Sequence, residues 1–160
     1  MNPLIARYQQ GSGWLQTVLA PLILLLARLW AASVFFQSGL VKISSWDSTL
    51  YLFEFEYQVP LLPWQWAAYL GTAAELLLPL LLIAGLLGRL TALALFGFNI
   101  IAVISYPLLW ERGFYDHQLW GALLLMVVVW GPGKWSLDHW LSQRWHGAAQ
   151  SAPNVRSNAE

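Results

Sequence analysis

The sequence predicts an all-α polytopic membrane protein: a bundle of four transmembrane helices with a short interfacial helix after the fourth. Three observations carry that prediction. The 160-residue chain is 58% hydrophobic and only 10% charged, whereas a soluble domain usually carries about 25% charged residues. Its apolar residues fall in long blocks instead of alternating with polar ones, and long blocks need lipid. Eleven tryptophans, several flanking those blocks, suit the lipid–water interface, where an indole ring settles.

Composition also narrows the chemistry. Eight basic and eight acidic side chains cancel, so no basic patch suggests nucleic acid. The absence of cysteine removes disulfide exchange, thiolate metal sites and cysteine-ligated iron–sulfur clusters from this chain. A metal site needs three or four ligands, and His117, His139 and His146 are placed too far apart to share a metal or a haem. No metal ligation and no covalently held cofactor is expected.

Residues 1–13 are polar and short, with Arg7 the only charged side chain, and read as a cytoplasmic lead. Helix 1 follows at about 14–42. A cleaved signal peptide is disfavoured because the polar lead is long and Arg28 sits close to Ala31, Ala32 and Ser33, where cleavage would fall. Pro21 lies in the first turns, where a missing N–H matters least. From Ser44 to Pro63 the acidic residues Asp47, Glu54 and Glu56 mix with Tyr51, Phe53, Phe55 and Tyr57. The alternation from Tyr51 to Phe55 suits a short strand or an interfacial segment. A loop on the membrane surface is favoured over a substrate lid.

Helix 2 is placed at about 64–87 and helix 3 at about 90–109, joined by a tight turn at Gly85, Gly88 and Arg89. Helix 4, at about 115–132, is brief for a span. Gly131, Pro132 and Gly133 stop it, since proline cannot continue a helix and glycine tolerates the exit conformation. Trp135 to Trp145 suits a short interfacial helix capped by Ser136 and anchored by Trp135, Trp140 and Trp145. Residues 146–160, rich in Ala, Ser and Asn, read as a disordered tail.

Basic residues near helix ends mark the cytoplasmic side. With both termini inside, that side holds Arg7, Arg89, Lys134, Arg144 and Arg156, while Asp47, Glu54, Glu56, Glu111 and Asp116 face outward. The expected location is the inner membrane, with both termini in the cytoplasm.

Three polar groups fall within the apolar blocks: Arg28, Glu75 and Asn99. A charge at the bilayer centre costs roughly 2.5–3.5 kcal/mol on insertion scales, so Glu75 needs a partner. At the helical rise, Glu75 lies about 16 Å in from Trp64, and Arg28 about 12–18 Å in from the outer end of helix 1. The two depths match, which predicts an Arg28–Glu75 ion pair. Asn99 shares a helical face with Ala92, Val103 and Tyr106. Arg28, Glu75, Asn99 and Tyr106 are therefore expected inside the bundle, with Lys42 and His117 near its outer mouth. The pair can simply fix helix register, or it can line a polar cavity that binds or relays something. His117 on its own reads as an ordinary loop-end residue.

These pieces together resemble the DoxX family of small four-helix membrane proteins. The matching parts are Arg28, the segment Ser38-Gly39-Leu40-Val41-Lys42, Glu75, the turn Gly85-Leu86-Leu87-Gly88-Arg89, and Gly131-Pro132-Gly133-Lys134-Trp135-Ser136-Leu137-Asp138. They span about residues 24–138. Each part is weak alone, but their order and spacing are specific. Glycine permits tight turns, and Ser136 can cap the segment after it, with Asp138 in that segment's first turn.

The resemblance implies an integral inner-membrane protein, with Arg28, Lys42, Glu75 and Arg89 as the positions carried over. Some relatives look like small subunits of quinone-linked oxidoreductases, and others are associated with oxidative-stress complexes. Two functions follow as expectations. One is a non-catalytic membrane subunit or partner of a larger redox- or stress-related system, encoded nearby, with a homodimer open. The other is a quinone-linked oxidoreductase subunit using a buried Arg28/Glu75 site. The first is favoured because no catalytic constellation is complete.

Overall fold

The computed structural model describes residues 3–150, except the side chains at 3, 4, 6 and 146–150. Seven helices follow in order: α1 (Pro3–Ser44), α2 (Trp46–Phe55), α3 (Trp64–Ala84), α4 (Gly88–Ser105), α5 (Leu108–Glu111), α6 (Phe114–Trp130) and α7 (Leu137–Gln150). Three are long and apolar enough to cross a membrane: α1 from Arg7, α3 and α4. The fourth apolar helix, α6, has 17 residues. No strand occurs among the described residues.

The long helices close into a ring. α1 packs on α3, α3 on α4, α4 on α6, and α6 back on α1. Their shared centre is Ala31, Ala32, Phe35, Leu82, Ala92, Leu95, Leu124 and Val127. Small residues let the backbones approach, and Phe35 fills the remaining space with edge-on contacts to Phe98 and Trp120 at 6.2 and 6.0 Å.

The outward faces are as apolar as the inward ones. Leu70, Leu77 and Leu80 of α3 and Leu90, Leu93 and Ile100 of α4 are exposed, while Arg28, Thr72, Glu75, Thr91 and Asn99 are buried. In water this arrangement would expose greasy surface on all sides. It suits a helix that is hydrophobic all round because lipid is its solvent.

Several boundaries differ from the sequence expectation. α1 begins at Pro3, so the polar lead continues the first helix through Gly11 and Gly13. Residues 44–63 hold no strand and are not one loop: α2 occupies ten of the twenty, and Ser45 and 56–63 are turn and irregular chain. The aromatic alternation that suggested a strand also satisfies spacing by four. Tyr51 meets Phe55 at a tilt and Phe53 meets Tyr57 edge-on, each with ring centroids 4.7 Å apart, the spacing by four that brings side chains together along a helix. Thr49 and Phe53 bury the other stripe, with Phe53 joining Ala67 and Ala68 of α3.

α4 ends earlier than expected, at Ser105, because Pro107 forces Tyr106 into extended backbone. The segment after α6 is helical through Gln150, longer than the expected interfacial piece and including five residues assigned to a tail. The rest of that tail, 151–160, lies outside the described residues.

Candidate functional site

Two polar centres lie at different levels of the bundle. The register of α1 against α3 decides which residues belong to each. A Cβ on Gly39 would come 2.9 Å from Leu76 and 3.1 Å from the Glu75 Cβ, so the helices nearly touch there. About ten residues further along α3, roughly 15 Å at the helical rise, a Cβ on Gly85 would meet Arg28 Nη1.

Glu75 therefore sits level with Gly39, and Arg28 level with Gly85. The expected Arg28–Glu75 pair does not form. The depth argument failed because it placed the outer end of α1 and Trp64 on one plane. In fact α1 runs on to Ser44, and the first turns of α3 extend beyond it beneath α2.

At the end that carries α2, Lys42 takes the place assigned to Arg28. Its Nζ donates to Glu75 Oε2 at 2.6 Å, to Oε1 at 2.8 Å and to Ser38 Oγ at 2.9 Å. Ser38 Oγ in turn donates to Glu75 Oε1 at 3.1 Å. The spacing 38–42 puts both groups on one face of α1. The Lys42–Glu75 bridge is largely withdrawn from the surface, with side-chain exposures of 15% and 7%. Its Coulomb energy and hydrogen bonds offset the burial cost of each charge.

This bridge forms one wall of a cavity of about 430 Å³ between α1, α2, α3 and α4. The lining is mainly apolar, with Tyr57, Ser105, Tyr106 and His117 as the other polar groups. Tyr106 is on the cavity wall and not in the bundle centre. Its hydroxyl donates to Glu56 Oε2 at 3.1 Å, and its ring meets Tyr57 edge-on at 4.7 Å. Burial, followed by the nearby Tyr106, Glu75 and Glu56, pushes the Tyr57 hydroxyl up to about 12. It therefore stays a proton donor at any ordinary pH. Ser105 Oγ is buried and has no hydrogen-bond partner among the described residues. From sequence, Ser38 stood only within the 38–42 segment and Tyr57 only within the aromatic run, neither as a site residue, and Ser105 was not named. The Ser38/Lys42 spacing carried a signal; the other two depend on where α2 and the end of α4 fold.

Asn99 and His117 pair across α4 and α6. Asn99 Nδ2 donates to the His117 carbonyl at 2.9 Å, and Asn99 Oδ1 lies 2.7 Å from His117 Nδ1. Trp120 meets the imidazole edge-on at 4.6 Å. His117 is thus a fixed helix residue and not an ordinary loop end. It lines both the Lys42–Glu75 cavity and a second cavity of about 440 Å³ between α4 and α6, which Asn99 also lines.

The other polar centre joins the remaining motif residues. Arg28 is completely buried, and its Nη2 donates to the Trp135 carbonyl at 2.6 Å. Its Nε and Nη1 have no hydrogen-bond partner among the described residues. Asp138 stands in the first turn of α7 as expected, but its carboxylate bonds elsewhere. It reaches across to α4, accepting from the Leu87 and Gly88 amides at 2.8 and 2.7 Å, while its own N–H donates to the Gly85 carbonyl at 3.1 Å.

Ser136 does cap α7, accepting from the His139 amide at 3.2 Å. Arg89 is exposed but lies against Gly131, where an added Cβ would sit 3.4 Å from Nε. Pro132 covers Gly88, Gly133 rests on Leu24, and Lys134 is exposed. Arg28, the Gly85–Arg89 turn and the Gly131–Asp138 segment thus form one joint that locks the α6–α7 connection under the α3–α4 turn.

An all-helical bundle with lipid-suited outer faces, buried charges and an internal cavity is a membrane protein by class. Comparison with known proteins then gives the family. The DoxX family model matches residues 23–107. An uncharacterized protein of Haemophilus influenzae is 31% identical over 126 residues, covering 72% of this chain and 80% of that protein. No solved structure matches. The chain belongs to the DoxX family.

Proposed function

We propose that this DoxX protein is a four-span subunit of the inner membrane that holds a ring-bearing amphiphile, of the quinone type, in the Lys42–Glu75 cavity. The ligand exchanges electrons with a partner protein, so this chain supplies binding and proton-bearing groups. α6 serves as the fourth span: at about 1.5 Å per residue its length is roughly 26 Å, close to the thinner bilayers. The basic residues of the α3–α4 turn and of α7 support an orientation with both termini in the cytoplasm. The cavity then opens toward the outer side.

The observation that carries the reading is the cavity itself. A mostly apolar pocket of this size with a few convergent polar groups is the usual form of a small-molecule site, and here it contains a buried ion pair. The test is extraction of native-membrane protein for bound lipid-soluble ring compounds, followed by titration with a short-chain quinone. Ala74→Phe, which fills the cavity from α3, should retain the melting point and lose the ligand. If no such compound copurifies and none binds, the reading fails.

A further inference from the structure

The Asn99–His117 pair fixes the chemistry of one cavity wall. Asn99 Nδ2 is committed to a main-chain carbonyl, which can only accept. The other end of the amide, Oδ1, is therefore the atom facing His117 Nδ1 at 2.7 Å. A carbonyl oxygen donates nothing, so Nδ1 carries the ring proton and Nε2 of the neutral imidazole is an acceptor. Nε2 has no protein partner among the described residues, while Trp120 and Asn99 hold the ring in place.

The charged donor that lines the same cavity is already spent. Lys42 has three N–H groups, and they go to Ser38 Oγ, Glu75 Oε1 and Glu75 Oε2. Ser105 Oγ, in a residue only 4% exposed, also lies on the lining with no protein partner among the described residues.

We infer that the cavity selects a phenol or hydroquinone over the corresponding quinone, because the ligand hydroxyl donates to His117 Nε2. A quinone carbonyl can only accept, and it would set two acceptors face to face. This inference rests on the cavity being a ligand site. It concerns binding alone, with no electron or proton transferred.

The test uses the full chain in detergent under anaerobic conditions, with calorimetric titration of a short-chain hydroquinone and its matching quinone. Hydroquinone should bind about tenfold more tightly, the size of one well-made hydrogen bond. His117→Phe should remove that difference. Asn99→Asp puts a carboxylate on Nδ1, favours the imidazolium, turns Nε2 into a donor and should shift preference toward the quinone.

Equal affinities in the unaltered chain, or an undiminished preference in His117→Phe, would overturn the inference and leave the cavity reading standing. Binding of neither compound would overturn the cavity reading itself. If the variants do not fold, 15N NMR of histidine-labelled unaltered protein decides the tautomer: a bare Nδ1 with a protonated Nε2 sinks the inference.

Discussion

Lys42 Nζ lies 2.6 Å from Glu75 Oε2, joining the end of α1 to the middle of α3 with both side chains nearly withdrawn from the surface. Removing one member of such a pair strands the other charge, whereas removing both does not. Lys42→Met and Glu75→Leu are each predicted to destabilise the protein by about 3–5 kcal/mol, and the double variant by clearly less than the two together. Thermal denaturation in one detergent checks this. Strictly additive losses would mean the two side chains do not depend on each other.

Gly85 occupies a left-handed conformation at φ +66°, directly over Arg28 Nη1 and 2.5 Å from the Ser136 Cβ where its own Cβ would stand. Gly85→Ala should therefore cost about 1–3 kcal/mol from backbone strain alone, with a further loss from displacing Arg28. Gly97→Ala, with open space around its Cβ and a helical backbone, should be neutral or slightly stabilising. Melting points of the two variants make the comparison.

Asp138 caps the α4 N-terminus from a distant part of the chain. Asp138→Ala should cost about 1–2 kcal/mol. The sharper readout is local: hydrogen exchange at the Leu87 and Gly88 amides should accelerate, because those N–H groups lose their acceptors. Unchanged exchange at both would show that another group satisfies them.

Tyr57 ionises near 12 in the folded protein, against about 10 for a free tyrosine. Between those values the unfolded chain releases this proton first and is favoured. Stability from this group is therefore intact below about pH 10 and falls as pH rises toward 12. Phenolate absorbance should show a late-titrating tyrosine that Tyr57→Phe removes, and Tyr57→Phe should also flatten the alkaline loss of stability.

Orientation can be read directly because the chain has no native cysteine. Ser45→Cys and Gln143→Cys lie at opposite ends of the bundle. In intact cells an impermeant thiol reagent should label the first and spare the second. The reverse pattern would invert the proposed topology.

The membrane character and the main apolar helices were legible in the sequence because they rest on local physics: the length of an apolar block, the proline and glycine that end it, and the tryptophans at its edges. The buried polar residues were legible too. Glu75 does have a basic partner, Arg28 and Asn99 are buried, and Ser136 caps the helix after it.

The partners were not legible. Residue spacing gives position along one helix but not its register against the next, and an offset of about ten residues exchanges Arg28 for Lys42 and leaves Arg28 beneath Gly85. The close approach of α1 to α3 at Gly39 marks that offset, and residues 46–55 fold as a helix over the part of α3 that extends beyond it. In the same way, only tertiary contact brings Asn99 to His117 and Asp138 to the start of α4. The sequence determined which groups are taken out of water; the packing of four helices decided which of them meet, because the fit of side chains between helices sets register at a resolution no single helix carries.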